Sequence, residues 1–201
     1  MSNDFSGRLQ VKRQANMYPI VKHTAFHLMK LATESGPGSF HTSIACIVFT
    51  AFQYEAALNE IGLAKAIPGW DEGDLRPTPN KEKAAYSVCG LVLDRSTAEY
   101  QKIRSAIKVR DKLAHPKPIT ISKSIRKFSG DFEEFQERAE VEGQAHWEQC
   151  ANPEVAKAAF EVVSKVASGL FHAAGIDEDS FSLSEMFVSL DPIVPPKPLR
   201  P

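Results

Sequence analysis

An arginine and a histidine stand five positions apart in Arg110-Asp111-Lys112-Leu113-Ala114-His115, and Pro116 follows at once. The pair joins a permanent cation shaped for phosphate to the side chain that exchanges protons near neutral pH. Breaking a phosphodiester without a metal needs both. A proton must leave the internal 2′-hydroxyl, and the charge that builds on phosphorus must be steadied. His115, as the side-chain type that exchanges protons near neutral pH, answers the first need, and the bidentate fork of Arg110 answers the second. Asp111 can orient either one. Glu55 lies centrally on the apolar stripe of an upstream helix, where an unpaired carboxylate is costly, so it is expected to meet Arg110 or another cation. Arg104, Lys108, Lys112 and Lys117 flank the pair, and helical spacing carries Arg104, Lys108 and Asp111 along one face toward His115. That face reads as a basic track for RNA phosphates.

Each of these residues also has a plainer account. Arg110 with Glu55 can be an ion pair that fixes helix register. His115 can be a helix-terminal residue favoured by the dipole. The cations can form a solvated face. His23 and His27 have the i, i+4 spacing of metal ligands but no evident third ligand, and a half-buried pair without metal is the expectation. Gly36-Pro37-Gly38 reads as a turn rather than a phosphate loop, and no serine or cysteine nucleophile signature occurs. No metal or cofactor is expected.

The elements that must position Arg110 and His115 are helices. Tyr100, Ile103, Ile107, Arg110 and Ala114 recur at three- and four-residue steps, which turns Arg110 inward. Pro116 restricts His115 and ends the helix there, while Ser96-Thr97-Ala98-Glu99 has the form of a capping box opening it. Upstream, amphipathic stretches run from Asn16 to Glu34 and from about Phe40 to Ala66, the second with Ile44, Val48, Ala51, Glu55, Leu58 and Gly62 as its stripe. A loop rich in Gly and Pro leads to a short helix that begins near Asn80 and ends by Leu93. Downstream, Ile119 to Phe128 alternates weakly and suggests a strand or hairpin arm. Asp131 to Gln149 reads as a polar helix anchored by Phe132, Phe135 and Trp147. The last core helix is capped by Asn152, opens on Pro153 and closes at Gly175, with Val155, Ala159, Val162, Val166 and Leu170 as one stripe.

The expected fold is therefore all-α, an up-down bundle of four to five core helices with a short extended insertion after the motif helix. Residues 1–15 form an N-terminal segment, 16–176 the helical domain with a basic insertion at 117–130, and 177–201 a Pro-rich tail. With 43% hydrophobic and 24% charged residues and a net charge of −1, coating nucleic acid by bulk charge is excluded, though a local basic site is not. Cys46, Cys89 and Cys150 are scattered and read as reduced thiols. Met1 to Gln10 lacks a signal-peptide core and no apolar run spans a membrane, so the expectation is a cytoplasmic protein.

Arg110-Asp111-Lys112-Leu113-Ala114-His115, late in the third core helix of a small bundle, resembles the R-x(4–6)-H motif of the HEPN superfamily. Ala51-Phe52-Gln53-Tyr54-Glu55-Ala56-Ala57-Leu58-Asn59-Glu60-Ile61 is similar to that family's second helix, where an acidic residue faces the motif. The resemblance covers roughly residues 16 to 174, less the loop at 68–79 and the segment after His115. It implies a metal-independent endoribonuclease, a toxin or phage-defence effector, or else an inactive module that binds RNA, nucleotide or protein. It further implies a homodimer whose two copies of Arg110 and His115 face one cleft, and an antitoxin or regulatory protein as a partner. One toxin group in the family carries a tyrosine two positions after the histidine; Lys117 stands there in this chain, so modification at such a tyrosine is not implied.

Overall fold

The periodic stretches fold as helices around one central member. The computed structural model describes residues 7–14, 16–36, 38–70, 78–117, 120–122, 130–178 and 185–192. In chain order these hold strand β1 (Gly7–Gln14) and helices α1 (Met17–Glu34), α2 (Ser39–Ala64), α3 (Thr78–Val88), α4 (Ala98–Ala114), α5 (Phe132–Gly143), α6 (His146–Gln149) and α7 (Pro153–Ala174), then strand β2 (Glu185–Pro192). Helix α2 buries a broad face, with Cys46, Ile47, Tyr54, Ala57, Leu58 and Ile61 among its buried residues, and leaves Phe52 and Leu63 exposed on the other side. An apolar face that wide must be covered by several neighbours. Helices α1 and α7 pack most extensively against it, α4 and α3 cover the rest, and α4 also touches α7 and the short α6.

Several local signals act where the sequence places them. Asn152 accepts the Val155 amide at 2.9 Å, Pro153 opens α7, and Gly175 closes it in the left-handed region at φ 66°. The motif helix starts one residue later than its box suggests. Thr97 is the cap and accepts the Tyr100 amide at 3.1 Å. Ser96 bonds Asp94 instead, and Glu99 reaches across to Lys165 at 2.7 Å.

The buried stripe of α7 lies to one side of the expected one. Ala156, Ala159, Val163, Ala167, Leu170, Phe171 and Ala174 face inward, whereas Val155 is exposed and Val162 and Val166 pack at the edge of the core. The small face packs inward, with Cys46 Sγ of α2 3.8 Å from Ala156 O, and the valines rim it. On α2 and α4, Ala51, Leu58, Ile103 and Ile107 are fully buried, and Val48 is half-buried.

The stretch from Asp131 to Gln149 is two helices rather than one. Asp131 caps α5 in a box with Glu134, yet no residue of α5 is buried, and Phe132 and Phe135 stand 73% and 42% exposed. They are not anchors. Trp147 on α6 is, with its ring centroid 6.3 Å from that of Phe40 at the start of α2. Beyond α7, Glu178 accepts the Tyr18 hydroxyl at 2.7 Å and the Ser168 hydroxyl at 2.6 Å and is paired with Lys22, which ties α1 to the end of α7.

The two strands, whose backbones alone are described, were not expected. They pair antiparallel over eight positions, with Leu9 opposite Leu190 and Val11 opposite Val188. They lie in the segments read as the N-terminal piece and the tail. The hairpin suggested for Ile119 to Phe128 falls mostly outside the described residues, and 120–122 have no regular structure. Among the described residues no helix is long and apolar enough to cross a membrane.

Gly62 shows how closely α2 is packed. A methyl group at that position would run into the indole of Trp70, which folds back over the helix end. Gly62→Ala is expected to destabilise the protein by about 1–3 kcal/mol, the scale of overpacking, in urea unfolding followed by circular dichroism. An unchanged midpoint would show that Trp70 moves aside freely.

Candidate functional site

The site is built where α4 crosses α2. Arg110 donates from Nη1 to Glu55 Oε2 at 2.7 Å and from Nη2 to Glu55 Oε1 at 2.6 Å, a two-bond fork. Its Nε lies 2.9 Å from Asp111 Oδ1. This last approach satisfies the distance of an ion pair but not the angle of a hydrogen bond, and Nε is left without a bond, so it is charge attraction rather than a third directed contact. The guanidinium also lies 5.4 Å over the Phe52 ring. Glu55 Oε1 accepts a further bond from Thr78 Oγ1 at 2.9 Å, which draws the start of α3 into the cluster. Hydrogen bonding to Glu55 outweighs the effect of burial and raises the Arg110 pKa further, so the side chain stays charged. The arginine side chain is 14% exposed and that of Glu55 24%.

His115 is the C-cap of α4. Its backbone has left the helix at φ −127° and ψ 63°, while its amide still donates to Asp111 O at 3.1 Å. The ring is exposed. Arg110 and His115 therefore come from one helix end but serve different hollows. A cleft of about 570 Å³ between α2, α3 and α4 is lined by Glu55, Leu58, Asn59, Thr78, Pro79, Lys81, Arg104, Ile107, Arg110 and Asp111. A second, of about 510 Å³, lies between the end of α4 and α6 and is lined by Lys108, Asp111, Lys112, His115, Lys117, Ala145, His146 and Trp147.

The four flanking cations are thus divided. Arg104 belongs to the first cleft and Lys108, Lys112 and Lys117 to the second, with Asp111 on the ridge between. Each residue turns a helix by about 100°, so Ile107 and Arg110 lie to one side of Asp111, and Lys108 and Lys112 to the other. One track in sequence becomes two walls in space.

Some lining groups carry no signal in sequence. Lys81 on α3 donates to Asn59 at 2.7 Å and sits 4.8 Å over the Trp70 ring. His146 is more important. Its Nε2 lies 3.2 Å from Ser105 Oγ on α4, and Cys150 Sγ is 3.8 Å from the same nitrogen. A histidine beside a tryptophan in a polar stretch was the available cue; what faces it is settled only by how α6 folds back.

His23 and His27 are both exposed on α1. Among the described residues no group of three or more His, Cys, Asp or Glu is gathered as a metal would need. Cys46 is buried, and burial pushes its thiol up to about 11, so it is inert packing near neutral pH. No protein-family model, curated protein or solved structure matches the chain.

The Glu55–Arg110 pair can be weighed by removing it. A fully buried pair that loses one partner costs about 3–5 kcal/mol; partial exposure reduces this. Glu55→Ala is expected to cost about 2–3 kcal/mol in urea unfolding, and Glu55→Leu with Arg110→Met to recover at least half of that. Simple additivity of the two single changes would show that the fork contributes no coupling.

Proposed function

We propose that the protein is a metal-independent endoribonuclease of the HEPN kind, which cleaves RNA by attack of the 2′-hydroxyl on the adjacent phosphate, with His115 as a proton-transfer group. The observation that carries this reading is the composition of the second cleft. It sets an exposed histidine at a helix end among Lys108, Lys112 and Lys117, with the half-buried face of Trp147 alongside. Lysines supply the phosphate-neutralising charge, an indole is a platform on which an unpaired base stacks, and the imidazole moves the proton. Asp111 lines the same cleft and is assigned the role of orienting His115. Arg110 is assigned a positioning role, holding the end of α4 through Glu55.

A second reading has its own support. Both Arg110 Nη groups are engaged by Glu55 and its Nε is drawn to Asp111, so phosphate must compete with a carboxylate for the fork. That favours a module that binds RNA in the lysine-lined cleft without cutting it. The HEPN reading brings a homodimer with it, and a toxin or phage-defence setting with an antitoxin as partner. Sedimentation velocity at micromolar concentration is expected to give a dimer, and a monomer at that concentration would count against a shared site.

Single-stranded RNA incubated with the protein separates the two readings. Cleavage is expected to persist in chelator and to leave a 2′,3′-cyclic phosphate, because a hydroxyl of the substrate is the nucleophile and no metal-bound water is needed. His115→Ala should slow it by about 100- to 10,000-fold. Binding without cleavage would establish the second reading, and cleavage abolished by chelator would remove the mechanism.

A further inference from the structure

We propose that His146 is the second proton-transfer group of this cleft, the acid that protonates the 5′-leaving oxygen while His115 takes the 2′-hydroxyl proton. The inference rests on the ribonuclease reading and names a residue that the motif does not contain.

In-line displacement at phosphorus places the attacking and leaving oxygens on opposite sides. The 2′-oxygen loses its proton as its bond to phosphorus forms. The 5′-oxygen keeps the electron pair of the breaking P–O bond and must gain a proton. One imidazole at the attacking side cannot also reach the leaving side in the same step, so a second group that is acidic near neutral pH is needed. The lysines of the cleft are compact cations on flexible stems, which suits them to the phosphate rather than to proton delivery. Cys150 is nearly buried, at 7% exposure. Asp111 is held toward Arg110, with Oδ1 2.9 Å from its Nε. Among the groups that this one chain brings to the cleft, that leaves His146, which lines it with His115 but comes from a separate helix.

Its surroundings suit an acid. Nε2 lies 3.2 Å from Ser105 Oγ. With Nε2–H donated to that hydroxyl, the ring orientation is fixed, and Nδ1, 4.0 Å from Cys150 Sγ, carries the proton to be delivered. The ring is held on α6, which is anchored by the Trp147 contact with Phe40 and by Glu148 accepting the Ala145 amide at 2.6 Å. The products are a 2′,3′-cyclic phosphate and a 5′-hydroxyl, and the proton taken by His115 balances the one given by His146.

The test compares two substrates in the full-length protein: an ordinary dinucleotide, and a nucleoside 3′-(4-nitrophenyl phosphate) whose leaving group departs without an acid. His146→Ala, with His146→Gln as a variant that keeps an amide near Ser105, is expected to slow dinucleotide cleavage by at least about 100-fold. On the nitrophenyl ester the loss should shrink by tenfold or more. His115→Ala should lose comparably on both. Equal loss of the His146 variants on both substrates would make His146 a positioning residue and overturn the proposal. So would no loss on either, while the ribonuclease reading would stand. Failure of the parent protein to cleave either substrate would overturn both. Circular dichroism of the variants separates chemistry from unfolding.

Discussion

The ion pair between Glu55 and Arg110 is the constraint on which the rest of the site depends. A carboxylate in the middle of the most enclosed helix and a guanidinium on the inward face of α4 are each costly to bury alone. Two parallel bonds at 2.7 and 2.6 Å make the combination tolerable and allow little slippage of α4 along α2. Because His115 ends the same helix five residues later, the fork also decides where the imidazole emerges. Thr78 bonds the same carboxylate, so α3 takes its position from it as well.

That arrangement divides the labour of the motif. Charge for a substrate phosphate is usually the province of arginine, whose fork fits it best. Here the fork is already filled, and the lysines across the Asp111 ridge are the cations left facing open space beside the histidine. A point charge on a flexible stem grips less specifically than a fork. If the proposed reading holds, selectivity among RNAs comes from base stacking and cleft shape rather than from phosphate geometry, and holding the helix is separate from holding the ligand.

Much of the helical body is legible in the sequence because capping residues and apolar spacing are local. Asn152, Pro153 and Gly175 delimit α7 without reference to anything else, and Pro116 marks the end of α4 equally well. The Glu55–Arg110 contact was also within reach, since two buried opposite charges rarely stay apart. What the sequence hides is what depends on how elements meet. The alanine face of α7 is inward because α2 is close, which valine-seeking periodicity misses. The paired strands are some 170 residues apart in the chain, and neither carries a hairpin turn to announce it. His146 enters the site only because the chain turns back after α5. Phe132 and Phe135 look like core by type, yet α5 buries no residue, and both rings are exposed to solvent in part.

The chain has two tryptophans, and they stand differently toward the two hollows. Trp147 lines the histidine cleft itself, whereas Trp70 is buried beneath Lys81, the residue that lines the other. Indole emission responds to what approaches the ring and to how wet it is. The protein therefore carries two optical probes, and replacing either by phenylalanine would leave the remaining fluorescence reporting on a single compartment. Occupancy of the two hollows by any ligand becomes separable by eye of a spectrometer, without a label and without knowing in advance which of them is filled.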